Sequence, residues 1–337
     1  MGLLSDIVFC EPTVGGQIGA AIVQLLLWSF ITNYDYGVMA HVHKYVKRQP
    51  WYPIVQENMK DDDAQVIWDF PDPGFNYVTF FQTIMHHGGG GVLMSLGMLL
   101  GQPWLWRHGM LVEVGGMDLL DAFRIANVKF FPPGTFPTNV FLKSKLFGPL
   151  MAFHHSVGLC VGIPVNMYFS EIYEFQLFGL MTLGFPAICL GPGLIIKTLD
   201  KAKYARLLFA DRMWVFLTFT LGSRTLYYFP AAWSCFLHVW YSPFGSNWNV
   251  ILPFTWALLA MSAFNLMILG IQLNSFYKRL FGKDTLHAVR RSSSSLTDIV
   301  ASVSVEFGLT NMFVASRLVA RAHKAKDRVK EQHTKDQ

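Results

Sequence analysis

Seven stretches of this chain are apolar over lengths near those an α-helix needs to cross the hydrocarbon core of a bilayer, about 20 residues. They are Val14–Asn33, Val78–Leu100, Leu105–Phe123, Leu146–Val165, Phe175–Ile196, Trp214–His238 and Val250–Tyr277. In hydrocarbon every backbone polar group must be satisfied within the chain, which leaves helices as the form such stretches take. Composition agrees, since 52% of the 337 residues are hydrophobic and only 15% are charged, against roughly a quarter in soluble domains. The expected fold is therefore all-α: a polytopic membrane helix bundle of about seven transmembrane helices spanning 14–277. A short N-terminal segment, 1–13, precedes it and a basic tail, 278–337, follows. The third stretch carries Arg107, His108, Glu113, Asp118 and Asp121, so it is expected to be tilted or shielded inside the bundle.

The loops provide an independent test. Cations follow the first stretch (Lys44, Lys47, Arg48), the third (Arg124, Lys129, Lys143, Lys145) and the fifth (Lys197, Lys201, Lys203, Arg206, Arg212), and the tail is basic. Gly101–Trp104, Asn166–Glu174 and Val239–Asn249 contain none. With seven spans every basic loop falls on one side, and the positive-inside rule puts the C-terminus in the cytosol and the N-terminus in the lumen or outside. The net charge of +5 thus reports topology, and nucleic acid is not an expected partner. Trp104, Trp106, Trp214, Trp240 and Trp248 fall near predicted helix ends, as an interfacial aromatic belt would.

The N-terminus offers no basic start for a cleavable signal and has Asp6 where a myristoylation signal needs Ser or Thr. Cys10, Cys160, Cys189 and Cys235 are scattered, with no disulfide framework and no zinc spacing. The stretch Tyr34–Tyr77 reads as a long solvated loop with Asp61–Asp63 at its centre, and Phe131–Pro137 is too rich in proline for a helix. In the tail, Arg290–Ser295 reads as a linker or a phosphorylation site. Leu296–Ala320 reads as an interfacial helix; an eighth span there would move the last cations to the cation-poor side. No internal repeat is present.

Ionisable residues inside apolar stretches mark functional sites by default, because hydrocarbon cannot solvate them. His154 and His155 lie in the fourth stretch, His86 and His87 in the second, just before Gly88–Gly91. Adjacent residues on a helix point about 100° apart, so each pair is expected to divide its roles between the site and the packing. Histidine titrates near neutrality and suits proton transfer. With His154 and His155, Asp118 and Asp121 are the candidate catalytic groups. His86, His87, Asn166 and the lone cation Arg224 are candidate lipid contacts. His41 and His43 bring these histidines to six, but neither His-x-x-His-His nor His-x-x-x-His occurs. No metal and no resident cofactor are therefore expected.

The acid-bearing segment Gly115-Gly116-Met117-Asp118-Leu119-Leu120-Asp121, then Phe153-His154-His155 in the next span, then Asn166-Met167 with Glu171 and Glu174, resembles the TLC-domain membrane family. That family includes the ceramide synthases and translocation-associated proteins. The resemblance covers roughly Phe75–Tyr277. It implies a bundle that binds or processes a lipid of acyl or sphingolipid type and an endoplasmic reticulum location, the mitochondrial inner membrane being the alternative. If the chain is an enzyme, it implies acyl transfer from acyl-CoA by the paired histidines with downstream aspartates. Phe175–Ile196, the span after the pair, contains no acidic residue, so the downstream aspartates are missing. Two other readings are carried. One is a non-catalytic accessory subunit of a larger membrane complex, with other membrane subunits as partners. The other, weaker, is a seven-helix receptor, although Asp211-Arg212 precedes the sixth stretch instead of ending the third.

Overall fold

A computed structural model of the chain describes residues 2–33, 35–60, 73–123, 147–201 and 203–281. The described residues are helical, with no strand among them. In order they form α1 (Leu3–Val8), α2 (Val14–Ile31), α3 (Val38–Val46), α4 (Tyr52–Lys60), α5 (Pro73–Leu99) and α6 (Pro103–Leu111). Then come α7 (Phe147–Tyr168), α8 (Tyr173–Gly179), α9 (Phe185–Ile196), α10 (Ala205–Val215), α11 (Tyr228–Tyr241) and α12 (Trp248–Phe281). Three stretches are wound more widely, as π-helix: Val112–Asp118 continues α6, Leu180–Gly184 joins α8 to α9, and Phe216–Tyr227 joins α10 to α11. Each of the seven apolar stretches thus contains helix. Among the described residues, three helices are long and apolar enough to cross a membrane: Val14–Ile31, Tyr173–Ile196 and Trp248–Leu273.

The chain divides into a compact unit of residues 1–272 and a second of 273–337. Of the second, the structure describes the end of α12. Asp61–Asp63, Phe131–Pro137, the tail serines and Leu296–Ala320 lie outside the described residues, as do Arg124, Lys129, Lys143 and Lys145.

Local signals explain the helix ends. Thr13 caps α2, its Oγ1 accepting the Gly16 amide at 3.1 Å and satisfying one of the donors a helix start leaves open. α5 ends at Gly101, whose φ of 61° is a conformation glycine adopts at little cost. Pro103 then opens α6, a position where its missing N–H loses nothing. The result is a tight hairpin of α5 and α6.

α2 shows which way the bundle faces. Its buried side is Gly16, Gln17, Ala20, Ala21 and Trp28, while Ile18, Ile22, Leu26 and Phe30 are exposed. Small and polar residues inside with large apolar ones outside suit a helix surrounded by hydrocarbon. The main apolar core gathers Met94, Trp106, Met110, Phe175 and Phe254 from four helices and Phe169 from the turn after α7. Trp106 is completely buried there and donates its indole N–H to the Gln176 carbonyl at 3.2 Å, so it packs the core instead of joining an interfacial belt.

Tyr34–Tyr77, expected as loop, contains α3, α4 and the start of α5. Helices this short depend on tertiary packing. Met39, Val46, Tyr52, Val55 and Met59 provide it, closing against Tyr77 and Val78 of α5.

Candidate functional site

The site is assembled around the wide turns at Val112–Asp118, which α2, α5, α6 and α7 all contact. Glu113 stands in this stretch and is almost wholly buried. His86 and His87 reach it from α5: His86 Nε2 and His87 Nδ1 each lie 2.9 Å from the same oxygen, Glu113 Oε2. His86 Nε2 is also 3.3 Å from the Glu113 carbonyl oxygen. The other carboxylate oxygen, Oε1, is buried without a hydrogen-bond partner among the described residues. Trp28 of α2 meets the His86 ring edge-on at 5.6 Å. Gly90, one turn beyond the histidines, makes the space: a β-carbon there would come within 2.5 Å of Oε1. Gly91 does something else, since its own β-carbon would lie 2.8 Å from the Cα of Gly184. The glycine run therefore accommodates a carboxylate at one position and a helix backbone at the next.

Five residues after Glu113, Asp118 ends the same wide stretch, and helix continues through 119–123. Asp118 and Asp121, three apart, share a helix face. His155 of α7 lies between them, its Nε2 3.5 Å from Asp118 Oδ1 and its Nδ1 3.4 Å from Asp121 Oδ2. These are ion-pair separations, longer than tight hydrogen bonds. α7 comes this near because Gly158 faces the Asp118 carboxylate with no room for a β-carbon. His154 turns the other way and stacks on Phe264 of α12, centroids 4.3 Å apart and rings 19° from parallel. Its Nδ1 is buried without a hydrogen-bond partner among the described residues.

Arg224 sits in the third wide stretch, 4% exposed. Its guanidinium lies 5.2 Å from the Phe219 ring centre, and Nε and Nη1 have no hydrogen-bond partner among the described residues. It is near enough to Glu113 and His154 for their charges to interact. Arg224 makes no ion pair with a carboxylate among the described residues.

Asn166 stands elsewhere. It lies eleven residues beyond His155 on α7, about 17 Å along the axis at 1.5 Å per residue. It is fully buried, and its Nδ2 donates to Gln17 Oε1 and to the Arg107 carbonyl, both at 3.0 Å. Gln17 donates in turn to the Cys10 and Glu11 carbonyls, and Arg107 donates through Nε to the Cys10 carbonyl at 2.6 Å and through Nη1 to Ser170 Oγ at 3.3 Å. This network fastens the N-terminal segment to α2, α6 and α7. Burial also raises the Cys10 thiol to about 11, so it stays protonated near neutrality.

The structure thus brings His155, Asp118 and Asp121 together, while His154 turns away onto Phe264. It sets His86 and His87 on Glu113, with Arg224 nearby. Glu113 was visible in the sequence as an acid on the third stretch but not as the partner of both histidines. The stacking of Phe264 on His154 had no sequence signal. Comparison with protein-family models, with characterised proteins and with solved structures gives no significant match.

Proposed function

We propose that this chain is a multi-pass membrane protein of TLC-like architecture that binds or processes a lipid of acyl or sphingolipid type within its helix bundle. Seven spans are proposed: α2, α5, α6 with its wide continuation, α7, α8–α9, α10–α11, and α12. In the sequence the cation-rich segments 44–48, 124–145 and 197–212 alternate with the cation-free 101–104, 166–174 and 239–249, which favours a lumenal N-terminus and a cytosolic C-terminus. The family resemblance favours the endoplasmic reticulum.

The observation that carries the reading is His155 held between two carboxylates, beside His154, among apolar helices. Ionisable groups at membrane depth are costly and persist where they serve a site. A carboxylate on either side fixes the His155 imidazole and stabilises the protonated ring when it takes up a proton. His154 Nδ1, without a hydrogen-bond partner among the described residues, can accept a proton from a lipid hydroxyl or amine. Arg224 offers two donors, unpaired among the described residues, to an anionic group of the same molecule, a carboxylate or a phosphate. In acyl transfer, the imidazole takes the nucleophile's proton as the new C–O or C–N bond forms. It returns that proton to the departing thiolate of acyl-CoA as the C–S bond breaks. The aspartates absent from the span after the pair have a counterpart in Asp118 and Asp121, on the preceding helix.

Lipid extraction and mass spectrometry of purified wild type and of a His154→Ala/His155→Ala variant test the reading. A co-purifying lipid depleted in the variant, with a changed cellular lipid profile, is the expected result. Identical bound lipids and identical profiles would overturn it.

A further inference from the structure

We propose that His86, His87 and Glu113 are the protein ligands of one first-row divalent metal ion, zinc in the first place. The three side chains come from two helices, 26 residues apart in sequence between His87 and Glu113. Their ligand atoms all lie within 4.8 Å of one another. Two imidazoles and one carboxylate form the donor set of catalytic zinc sites, which keep a further position for water or substrate. The same set suits ferrous iron, whereas magnesium and calcium prefer oxygen donors throughout. Zinc bonds of about 2.0–2.2 Å need ligand atoms slightly further apart than the two 2.9 Å separations on Oε2. A small tilt of the Glu113 carboxylate, whose Oε1 has no hydrogen-bond partner among the described residues, would provide that.

Protons on the histidines are the competing partners of the Glu113 carboxylate, so the test must separate a metal from protons. Coordination through His86 Nε2 and His87 Nδ1 leaves the second ring nitrogen of each histidine to carry its proton, as metal-bound imidazoles do.

The inference stands apart from the lipid reading, because the metal ligands are not the His154/His155 pair. The full-length protein, purified in mild detergent without chelator, is assayed for metal by elemental analysis. About one zinc per chain is expected, retained in His154→Ala/His155→Ala and lost from Glu113→Gln. Losing a ligand should weaken binding by at least the roughly 10–100-fold that outer-shell changes cause. Cobalt(II) titrated into chelator-treated wild type should give a visible absorption band that Glu113→Gln lacks, with helical circular dichroism and elution volume confirming that the variant is folded. One iron per chain, lost with the same ligands, supports the site and reassigns the ion. Wild type that carries no stoichiometric metal and gives no cobalt band overturns the proposal without any variant, as does metal retained in a folded Glu113→Gln. Either result leaves the His154/His155 lipid test undisturbed.

Discussion

A β-carbon on Gly90 would lie 2.5 Å from Glu113 Oε1 and 3.0 Å from its Cδ, so this glycine gives Glu113 its place beside His86 and His87. Gly90→Ala tests the relationship. The added methyl must displace a carboxylate held by two imidazoles or push α5 away from the wide turns. Overpacking of this kind costs about 1–3 kcal/mol, a loss that a thermal-unfolding assay in detergent resolves. Gly88→Ala is the control, since its β-carbon meets only Ala187 at an ordinary 3.6 Å and alanine is the better helix former. It should unfold at or above the wild-type temperature. A Gly90→Ala protein as stable as wild type would show that Glu113 is not confined as described.

Asp118 and Asp121 hold His155 from either side at 3.5 and 3.4 Å, which predicts unequal consequences for function and stability. Asp118→Asn and Asp121→Asn keep the shape and remove the charge that favours a protonated His155. If His155 transfers protons, each change should lower lipid turnover by roughly the 10²–10⁴-fold that positioned acid–base groups contribute. Fold should persist in both, read by elution volume and helical circular dichroism. Asn substitutions that leave cellular lipid profiles at wild-type levels would remove the acid–base role.

The helices were legible in the sequence because their signal is apolar length, which needs no knowledge of neighbours. The two histidine pairs were legible for a related reason, since ionisable residues stand out inside apolar stretches of sequence. Their partners were not. At 100° per residue, Glu113 and Asp118 would point about 140° apart on an α-helix, which hides that they serve neighbouring histidine sites. The chain is wound as π-helix from Val112 to Asp118, and its i→i+5 bonding brings residues five apart toward one side. Such widenings recur at functional sites, but apolar periodicity does not announce them. α3 and α4 were missed because their formation depends on Tyr77 and Val78 in a later helix.

Asn166 should behave as a structural residue. Its amide donates to Gln17 Oε1 and the Arg107 carbonyl inside a buried network, about three helical turns beyond His155. Asn166→Leu removes both bonds and leaves buried acceptors unsatisfied, at about 1–3 kcal/mol for such a group. The expected outcome is a lower unfolding temperature with the set of bound lipids unchanged in the protein that remains folded. A variant of wild-type stability that loses a bound lipid would return Asn166 to the lipid contacts.

Away from the histidine sites, Glu57 of α4 predicts a pH dependence. Its carboxylate pairs with Lys60 at 2.8 Å and with Lys201, beyond α9, at 2.9 Å. Hydrogen bonds from these two ammonium groups, reinforced by their charges, hold it down from 4.5 to about 2. A carboxylate with a lowered folded pKa contributes its stabilisation in full above the unfolded value and loses it as pH falls through the folded one. The contribution should therefore be constant above about pH 5 and fade between about pH 4.5 and 2. Neighbouring Asn58 ties α4 to the same turn independently of pH, donating to the Lys197 and Leu199 carbonyls at 2.8 Å, so α4 should stay docked while the ion pair fails. Measured as unfolding temperature against pH, Glu57→Gln should fall less steeply than wild type in the acid range. The gap between the two should shrink in high salt, because exposed pairs are screened. Parallel curves for the two proteins across the acid range would mean that Lys201 and Glu57 do not interact in solution.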